Sequence, residues 1–365
     1  MNQNNKDLLT TPLFEKHKEI GAKMVEFGGW LMPVSYAASG ILAEHQNTRS
    51  GCSVFDICHM GELFISGPGA AKALDKVLTA KVLKAKPGTC KYGFILNNEA
   101  GVIDDCITYC LEEDQFMIVA NASRRQIDLD WMQRHLPDSV TIDDRSDTIA
   151  KIDVQGPDSV KVMKDALALD LSGLRFFRFD TFSAMGTDFI ISRTGYTGEL
   201  GFEVYMPSKR AVEFWEKVTA AGAQPAGLGA RDTLRIEAGL PLYGHELDEE
   251  TTPVEADLQR FADKDREFIG MEVVQAQLLD LPEEKLFGLV TEGRQSPREG
   301  HVILDESGYS IGRVTSGAFI ATLGHPAAFG FIDRSAAVAG HRCYVDTGRK
   351  KIPGSLHTVG FLQKD

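Results

Sequence analysis

The chain has 365 residues, 43% hydrophobic and 25% charged, with a formal net charge of −13 and an isoelectric point near 5.2. That composition fits an ordinary globular protein of two or three domains, and its acidic balance excludes a general nucleic-acid or anionic-membrane surface. No apolar run approaches the ~18 residues a membrane span needs, and the start, Met1 to Asp7, lacks the apolar core of a secretory signal, so a cytoplasmic protein is expected.

The six cysteines (Cys52, Cys58, Cys90, Cys106, Cys110, Cys343) are scattered without the density of a disulfide framework, which predicts free thiols. Cys106 and Cys110 would stand ~13 Å apart on a strand, too far to ligate one metal together. No metal site is expected.

In chain order, Phe27 to Val34 reads as a loop, followed by a predicted helix from Gly40 to Ser50 with Ile41, Leu42 and His45 at helical spacing. His45 reads as a helix-surface or packing residue. A stretch through Asp56, Cys58 and His59 leads into a strand that ends at Gly67-Pro68. An internal echo follows: Ile65-Ser66-Gly67-Pro68 with Lys72-Ala73-Leu74 matches Val154-Gln155-Gly156-Pro157 with Lys161-Val162-Met163 at the same spacing. Each reads as strand, turn and a helix with Pro at its first position, which predicts two related α+β subdomains. Gly67-Pro68-Gly69 is no phosphate loop, because the following Gly-Lys-Ser/Thr is missing.

A turn at Asn97 to Gly101 introduces a strand, Val102 to Tyr109, whose hairpin partner is Phe116 to Ala120. Alternation places Ile103, Asp105, Ile107 and Tyr109 on one side of that strand. Asp105 therefore falls among apolar and aromatic groups, where a carboxylate is costly unless a cation or a donor shares the site. The plain alternative is a turn or edge aspartate paired with a Lys or Arg.

Ser123 to His135 is a charged helix, and Ile149 to Val154 is a strand. Leu174 to Phe179 holds three aromatics within four positions, read equally as a core strand or a ligand wall. Phe189 to Tyr205 forms strand, glycine-rich turn and strand; on the second strand Phe202 and Val204 face one way, Glu203 and Tyr205 the other. Arg210 to Ala221 is an amphipathic helix with Trp215. Gly227-Leu228-Gly229 opens another helix; two arginines on such a face, Arg231 and Arg235, are ordinarily solvated, but Arg231 in the first turn suits an anion or a carboxylate. Pro241 to Pro253 is an acidic loop. From Lys285 onward, short apolar strands separated by glycines predict a small β-barrel or sandwich.

Six stretches in this order carry a family resemblance that covers nearly the whole chain: Phe55 to Gly61, Asp104-Asp105, Arg193 to Glu199, Gly201 to Tyr205, Gly227 to Arg235 and Val314 to Gly317. The chain resembles the glycine cleavage T-proteins, tetrahydrofolate-dependent aminomethyltransferases. The resemblance implies an α+β fold in a three-domain cloverleaf around a central folate pocket, with a C-terminal β-barrel. The domains would be 1–50 with 148–280, 51–147, and 281–365. It implies Asp105 as the catalytic residue, Glu203 as the acceptor for the pterin amino and ring N–H groups, and Arg231 in the same site. Tyr92, Tyr109, Asn121, Tyr196, Phe176 and Phe177 match further pocket positions.

The implied reaction moves an aminomethyl carbon from a lipoylated carrier protein, the H-protein, to tetrahydrofolate with loss of ammonia, and the enzyme would act as a monomer. Asp105 would orient folate, stabilise developing positive charge or manage a proton. Two departures concern the donor end: Cys58 stands where serine is usual before His-Met-Gly, and Pro253 to Phe261 is less regular than its counterpart. Rival readings are a folate-dependent demethylase on the same fold and a non-catalytic folate-binding relative of iron–sulfur assembly. The second would need a Lys-Gly-Cys motif where this chain has Phe268-Ile269-Gly270-Met271-Glu272.

Overall fold

The structure is a computed structural model that describes residues 8–262 and 265–362; the leading segment Met1 to Asp7 lies outside the described residues. Two compact units make up the chain. One comprises Met1–Leu74, Val82–Lys91 and Cys106–Arg231, the other Asp75–Lys81, Tyr92–Asp105 and Asp232–Asp365.

Helix α1 (Phe14–Glu19) precedes an antiparallel hairpin of β1 (Ala22–Phe27) and β2 (Trp30–Tyr36). The loop expected from Phe27 to Val34 is therefore a two-residue turn and a strand. Gly28 and Gly29 both take positive φ (56° and 85°), which lets the chain reverse at once and pair Phe27 with Trp30. Helix α2 (Ile41–Ser50) follows as expected and packs His45 fully inside.

Next come β3 (Ser53–Asp56), β4 (Gly61–Ser66), α3 (Ala70–Val77), β5 (Thr89–Leu96), β6 (Val102–Glu112), β7 (Gln115–Ala120), α4 (Arg125–His135) and β8 (Thr141–Asp144). The chain continues through β9 (Ile149–Gln155), α5 (Ser159–Leu167), β10 (Phe179–Ala184), β11 (Thr187–Ser192), β12 (Gly201–Pro207), α6 (Ala211–Ala220), β13 (Gln224–Pro225) and α7 (Leu228–Ala238).

In the first unit a six-stranded sheet runs β10-β11-β12-β9-β3-β13, antiparallel except where β13 joins β3. One face carries Val54, Ile152, Val154, Phe189, Ile191, Phe202 and Val204 against Val162 and Met163 of α5 and Phe214, Trp215 and Val218 of α6. Each such large apolar side chain contributes about 1.5–3 kcal/mol by leaving water. A second antiparallel succession in this unit is β6 (from Cys106), β7, β4 and β8. Its Tyr109, Met117 and Val119 cluster with Phe179 and Tyr205.

The internal echo is structural. β4 leads to α3 through Gly67 and β9 leads to α5 through Gly156, with φ of 131° and 128°. A Cβ at either position would run into a carbonyl oxygen, of Ser139 or of Gly51. Pro68 and Pro157 sit just ahead of the helices rather than at their first positions. Instead the Asp114 carboxylate accepts the Gly69 and Ala71 N–H groups (2.9 and 2.8 Å) at the start of α3, satisfying donors a helix start leaves free.

In the second unit, the Tyr92–Leu96 and Val102–Asp105 segments flank the expected turn. The Asn97 side-chain oxygen accepts the Glu99 and Gly101 N–H groups and holds it closed. Phe94, Leu96, Ala100 and Val102 pack with Leu247, Val254, Phe268 and Val274 of α8 (Met271–Leu279).

The remainder is a closed barrel of β14 (Glu284–Thr291), β15 (Val302–Leu304), β16 (Ser310–Ile320), β17 (His325–Asp333), β18 (Arg342–Asp346) and β19 (Lys351–His357), in the order β14-β17-β16-β15-β18-β19. β14 pairs with both β17 and β19, so closure leaves no open edge. Among the described residues no helix is long and apolar enough to cross a membrane.

Arg235, on a helix face that reads as solvated, is only 1% exposed. It donates to Glu246 (2.7 Å) and to the Ser316 hydroxyl (2.6 Å), and Glu246 also accepts the Thr315 hydroxyl (2.6 Å). Two of the recognised motifs are joined by this buried pair, which the acidic loop completes.

Candidate functional site

Strand β9 alternates cleanly: Ala150, Ile152 and Val154 enter the main core of the first unit, so Lys151, Asp153 and Gln155 share the opposite face. That face is also covered, and all three are 2% exposed or less. On β12, Glu203 lies opposite Asp153 and Tyr205 opposite Lys151. Buried polar residues thus meet across two neighbouring strands, and each must find a partner.

Glu203 is at the centre. One oxygen lies 2.8 Å from the Lys151 ammonium. The other accepts the Thr194 hydroxyl at 2.5 Å and the Tyr109 hydroxyl at 3.3 Å. The Tyr109 hydroxyl also meets Tyr205 (2.8 Å) and Ser192 (2.9 Å).

Arg231 donates to Asp153 at 2.8 Å, and its guanidinium lies 4.8 Å from the centre of the Tyr196 ring. Gln155 ties down the glycine-rich turn by donating to the Thr194 carbonyl (3.1 Å) and accepting the Thr197 hydroxyl (2.9 Å). Arg49 holds the same turn through the Thr197 carbonyl and the Glu199 carboxylate.

Burial alone pushes the Glu203 carboxyl up, but the charge and hydrogen bond of Lys151, with help from Thr194 and Arg231, bring it below its ordinary value. Asp153 goes the other way, to about 7, through burial and then the charge of Glu203, against the opposing pull of Arg231 and Lys151. Glu203 therefore keeps its charge and Asp153 is the easier of the two to protonate. Nearby, burial holds His59 down to about 4 and pushes Glu62 well up.

In the second unit, Asp105 is half-buried and accepts the Tyr92 hydroxyl at 3.0 Å. The Tyr92 ring stands edge-on to Phe94 (5.4 Å) and Phe261 (4.8 Å). The phenol that meets Asp105 thus belongs to a small aromatic group. Its neighbour Asp104 is fully buried.

Phe176 and Phe177 lie in a loop ahead of β10, not in a strand, because Phe177 takes a left-handed φ of 56°. Phe177 packs partly inside and Phe176 is 71% exposed, with the two rings edge to face at 4.8 Å. Asn121 lies at the end of β7, where its carbonyl accepts the Arg124 and Arg125 N–H groups.

Of the sequence-derived candidates, the first unit thus brings Glu203 and Tyr109 together, and Arg231 and Tyr196 together; the second brings Asp105 and Tyr92 together. Lys151, Asp153, Gln155, Thr194, Ser192, His59 and Glu62 were not singled out by sequence. The signal was present for three of them in the alternation Ala150-Lys151-Ile152-Asp153-Val154-Gln155. Among the described residues no group of three or more His, Cys, Asp or Glu side chains is arranged to hold a metal ion.

Comparison with known proteins places the chain. The family profile of the GCVT N-terminal domain matches residues 13–266, and that of the glycine cleavage T-protein C-terminal barrel domain matches residues 284–361. An aminomethyltransferase of Halothermothrix orenii is 39% identical over 357 residues, covering 96% of this chain and 99% of the relative. One from Saccharopolyspora erythraea is 40% identical, covering 97% and 98%. The crystal structure of the glycine cleavage system aminomethyltransferase T from Bartonella henselae superimposes with a TM-score of 0.91 at 35% identity, over 97% of this chain and 98% of that one. With both profiles matched in order and the likeness running nearly end to end, the chain belongs to the glycine cleavage T-protein family of aminomethyltransferases.

Proposed function

We propose that this aminomethyltransferase passes the carbon of an aminomethyl group, carried on the lipoyl arm of the H-protein, to tetrahydrofolate with release of ammonia. The observation that carries the reading is Glu203. It is a buried carboxylate held ionised by Lys151, and a carboxylate has about four lone-pair sites, of which Lys151, Thr194 and Tyr109 occupy three. One site remains, and the Tyr109 hydroxyl, at 3.3 Å the longest of the three contacts and already placed beside Tyr205 and Ser192, can yield a second, so the two N–H groups of a pterin edge can be accepted. Bound tetrahydrofolate would supply the two nitrogens between which the carbon ends.

The residues of the chain do the rest. Glu203 accepts ring and amino N–H groups, with Tyr109 beside it. Arg231, Tyr196, Asn121, Phe176, Phe177 and Tyr92 complete the folate-binding set. Asp105, oriented by the Tyr92 hydroxyl, is the catalytic residue and stabilises positive charge or holds a proton at the reacting carbon.

The division into 1–50 with 148–280, 51–147 and 281–365 belongs to the same proposal. So does action as a monomer, which light scattering tests. Six buried free thiols suit the reducing cytoplasm.

The deciding experiment supplies aminomethyl-loaded lipoyl carrier protein and measures tetrahydrofolate-dependent ammonia release, with methylenetetrahydrofolate quantified in the same tube. Stoichiometric appearance of both supports the reading. Folate binding without either product turns the search to methylated small-molecule donors.

A further inference from the structure

We propose that Lys151 is a positioning residue for the folate site: its buried ammonium fixes one oxygen of Glu203 and keeps that carboxylate ionised, ready to accept N–H donors. This rests on the folate reading of Glu203. The geometry is specific. Lys151 is 2% exposed and pairs with Glu203 at 2.8 Å. Its Nζ also lies 5.6 Å from the Tyr205 ring centre and 3.4 Å from the Met60 sulfur. A lysine this deep is rare unless its charge is used.

The surroundings explain why a cation is needed. Around Glu203 stand Asp153 on β9, Glu62 on β4, Cys90 on β5, Tyr109 on β6, Tyr205 on its own strand and Arg231 on α7. Arg231 is committed to Asp153. Both Glu62 oxygens are buried without a hydrogen-bond partner. Glu203, Asp153 and Glu62 share the buried cations Lys151 and Arg231, with Arg125 and Asp144 acting on Glu62 from outside the cluster; the direct pairing with Lys151 makes Glu203 the carboxyl that stays ionised. Without Lys151, burial and the neighbouring carboxyls drive a proton onto Glu203, and the resulting acid presents an O–H where an acceptor is required.

The test begins without folate. In the ligand-free protein near neutral pH, where Asp153 and Glu62 already hold protons in part, infrared spectra of Lys151→Met should show a protonated-carboxyl band additional to that of wild type, and this Glu203 band should disappear in Lys151→Met/Glu203→Gln, while Lys151→Arg matches wild type. Titration of tetrahydrofolate by calorimetry should then give affinity at least tenfold weaker for Lys151→Met below neutral pH, recovering as pH rises. Wild type and Lys151→Arg should be flat over the same range. Lys151→Gln, close in length and uncharged, carries the same expectations if Lys151→Met proves too unstable.

Absence of the Glu203 band in folded Lys151→Met or Lys151→Gln overturns the inference, as does a loss of affinity that does not vary with pH. The band together with a wild type that binds no tetrahydrofolate upholds the role of Lys151 and rejects the folate reading instead.

Discussion

Glu203 and Asp105 are both carboxylates on strands, one paired with a buried ammonium and the other with a phenol, and their proposed tasks differ. Truncating Glu203 to alanine leaves pterin donors and the Lys151 ammonium unpaired, so tetrahydrofolate affinity should fall by about 2–5 kcal/mol; unchanged affinity by calorimetry removes Glu203 from the pterin site. Asp105→Asn keeps an oxygen for the Tyr92 hydroxyl and so should leave folding and folate binding intact. Turnover should drop by ~10²–10⁴-fold, the usual worth of a placed acid or base, and a fully active variant takes Asp105 out of the mechanism. Both residues were legible from strand alternation before any contact was known. Lys151, Asp153 and Gln155 were not, since the polar face of a strand is solvated by default and only the cluster around Tyr109 and Tyr205 shows this one to be enclosed.

At the level of elements, the strand–glycine–helix echo and the Arg235–Glu246 pair make separate predictions. Gly156→Ala and Gly67→Ala each force a Cβ toward a backbone carbonyl at a φ near 130°. Each should cost about 1–3 kcal/mol in urea unfolding, and losses near zero at both positions reject the shared constraint. Glu246→Ala removes the fully buried carboxylate that Arg235 meets and leaves it the half-exposed Asp232, and should cost about 2–3 kcal/mol, less than a wholly uncompensated buried charge. A loss below 1 kcal/mol means that Asp232, Ser316 and the Leu240 carbonyl, which Arg235 also meets, suffice. The echo was readable because glycine, proline and apolar spacing are local signals. The hairpin at Gly28-Gly29 was read as a loop although a Gly-Gly pair is itself a local signal for a two-residue reversal; the turn at Phe177 has no such signal, because its left-handed φ falls on a bulky residue.

For the molecule as a whole, stability should carry a signature of buried His59. Its folded-state pKa is lowered to about 4 from 6.5. An unfolded chain takes up the proton as pH falls through 6.5, whereas the folded one resists until about 4. The stability this represents is present above 6.5 and lost on acidification, about 3 kcal/mol in full. Asp153, raised to about 7, works in the opposite sense, penalising the fold as pH rises from 3.8, and that contribution is common to wild type and a His59 variant. Comparing urea stability at pH 7 and pH 4.5, wild type should therefore lose about 2–3 kcal/mol more than His59→Gln; equal losses mean His59 accepts a proton inside the fold. The sequence by itself determined most of the strands, the repeated strand–turn–helix unit and the C-terminal run of short strands, because alternation, glycine placement and helical spacing act over a few neighbouring residues, and on the same ground it singled out Asp105 and Glu203 as candidates. Only the tertiary structure decided that the last strands close into a barrel, that Arg235 is paired inside, and that Glu203 rather than Asp153 keeps its charge. Those outcomes depend on which buried groups meet across distant strands, and the free energy of a charge out of water is set by its enclosed partners.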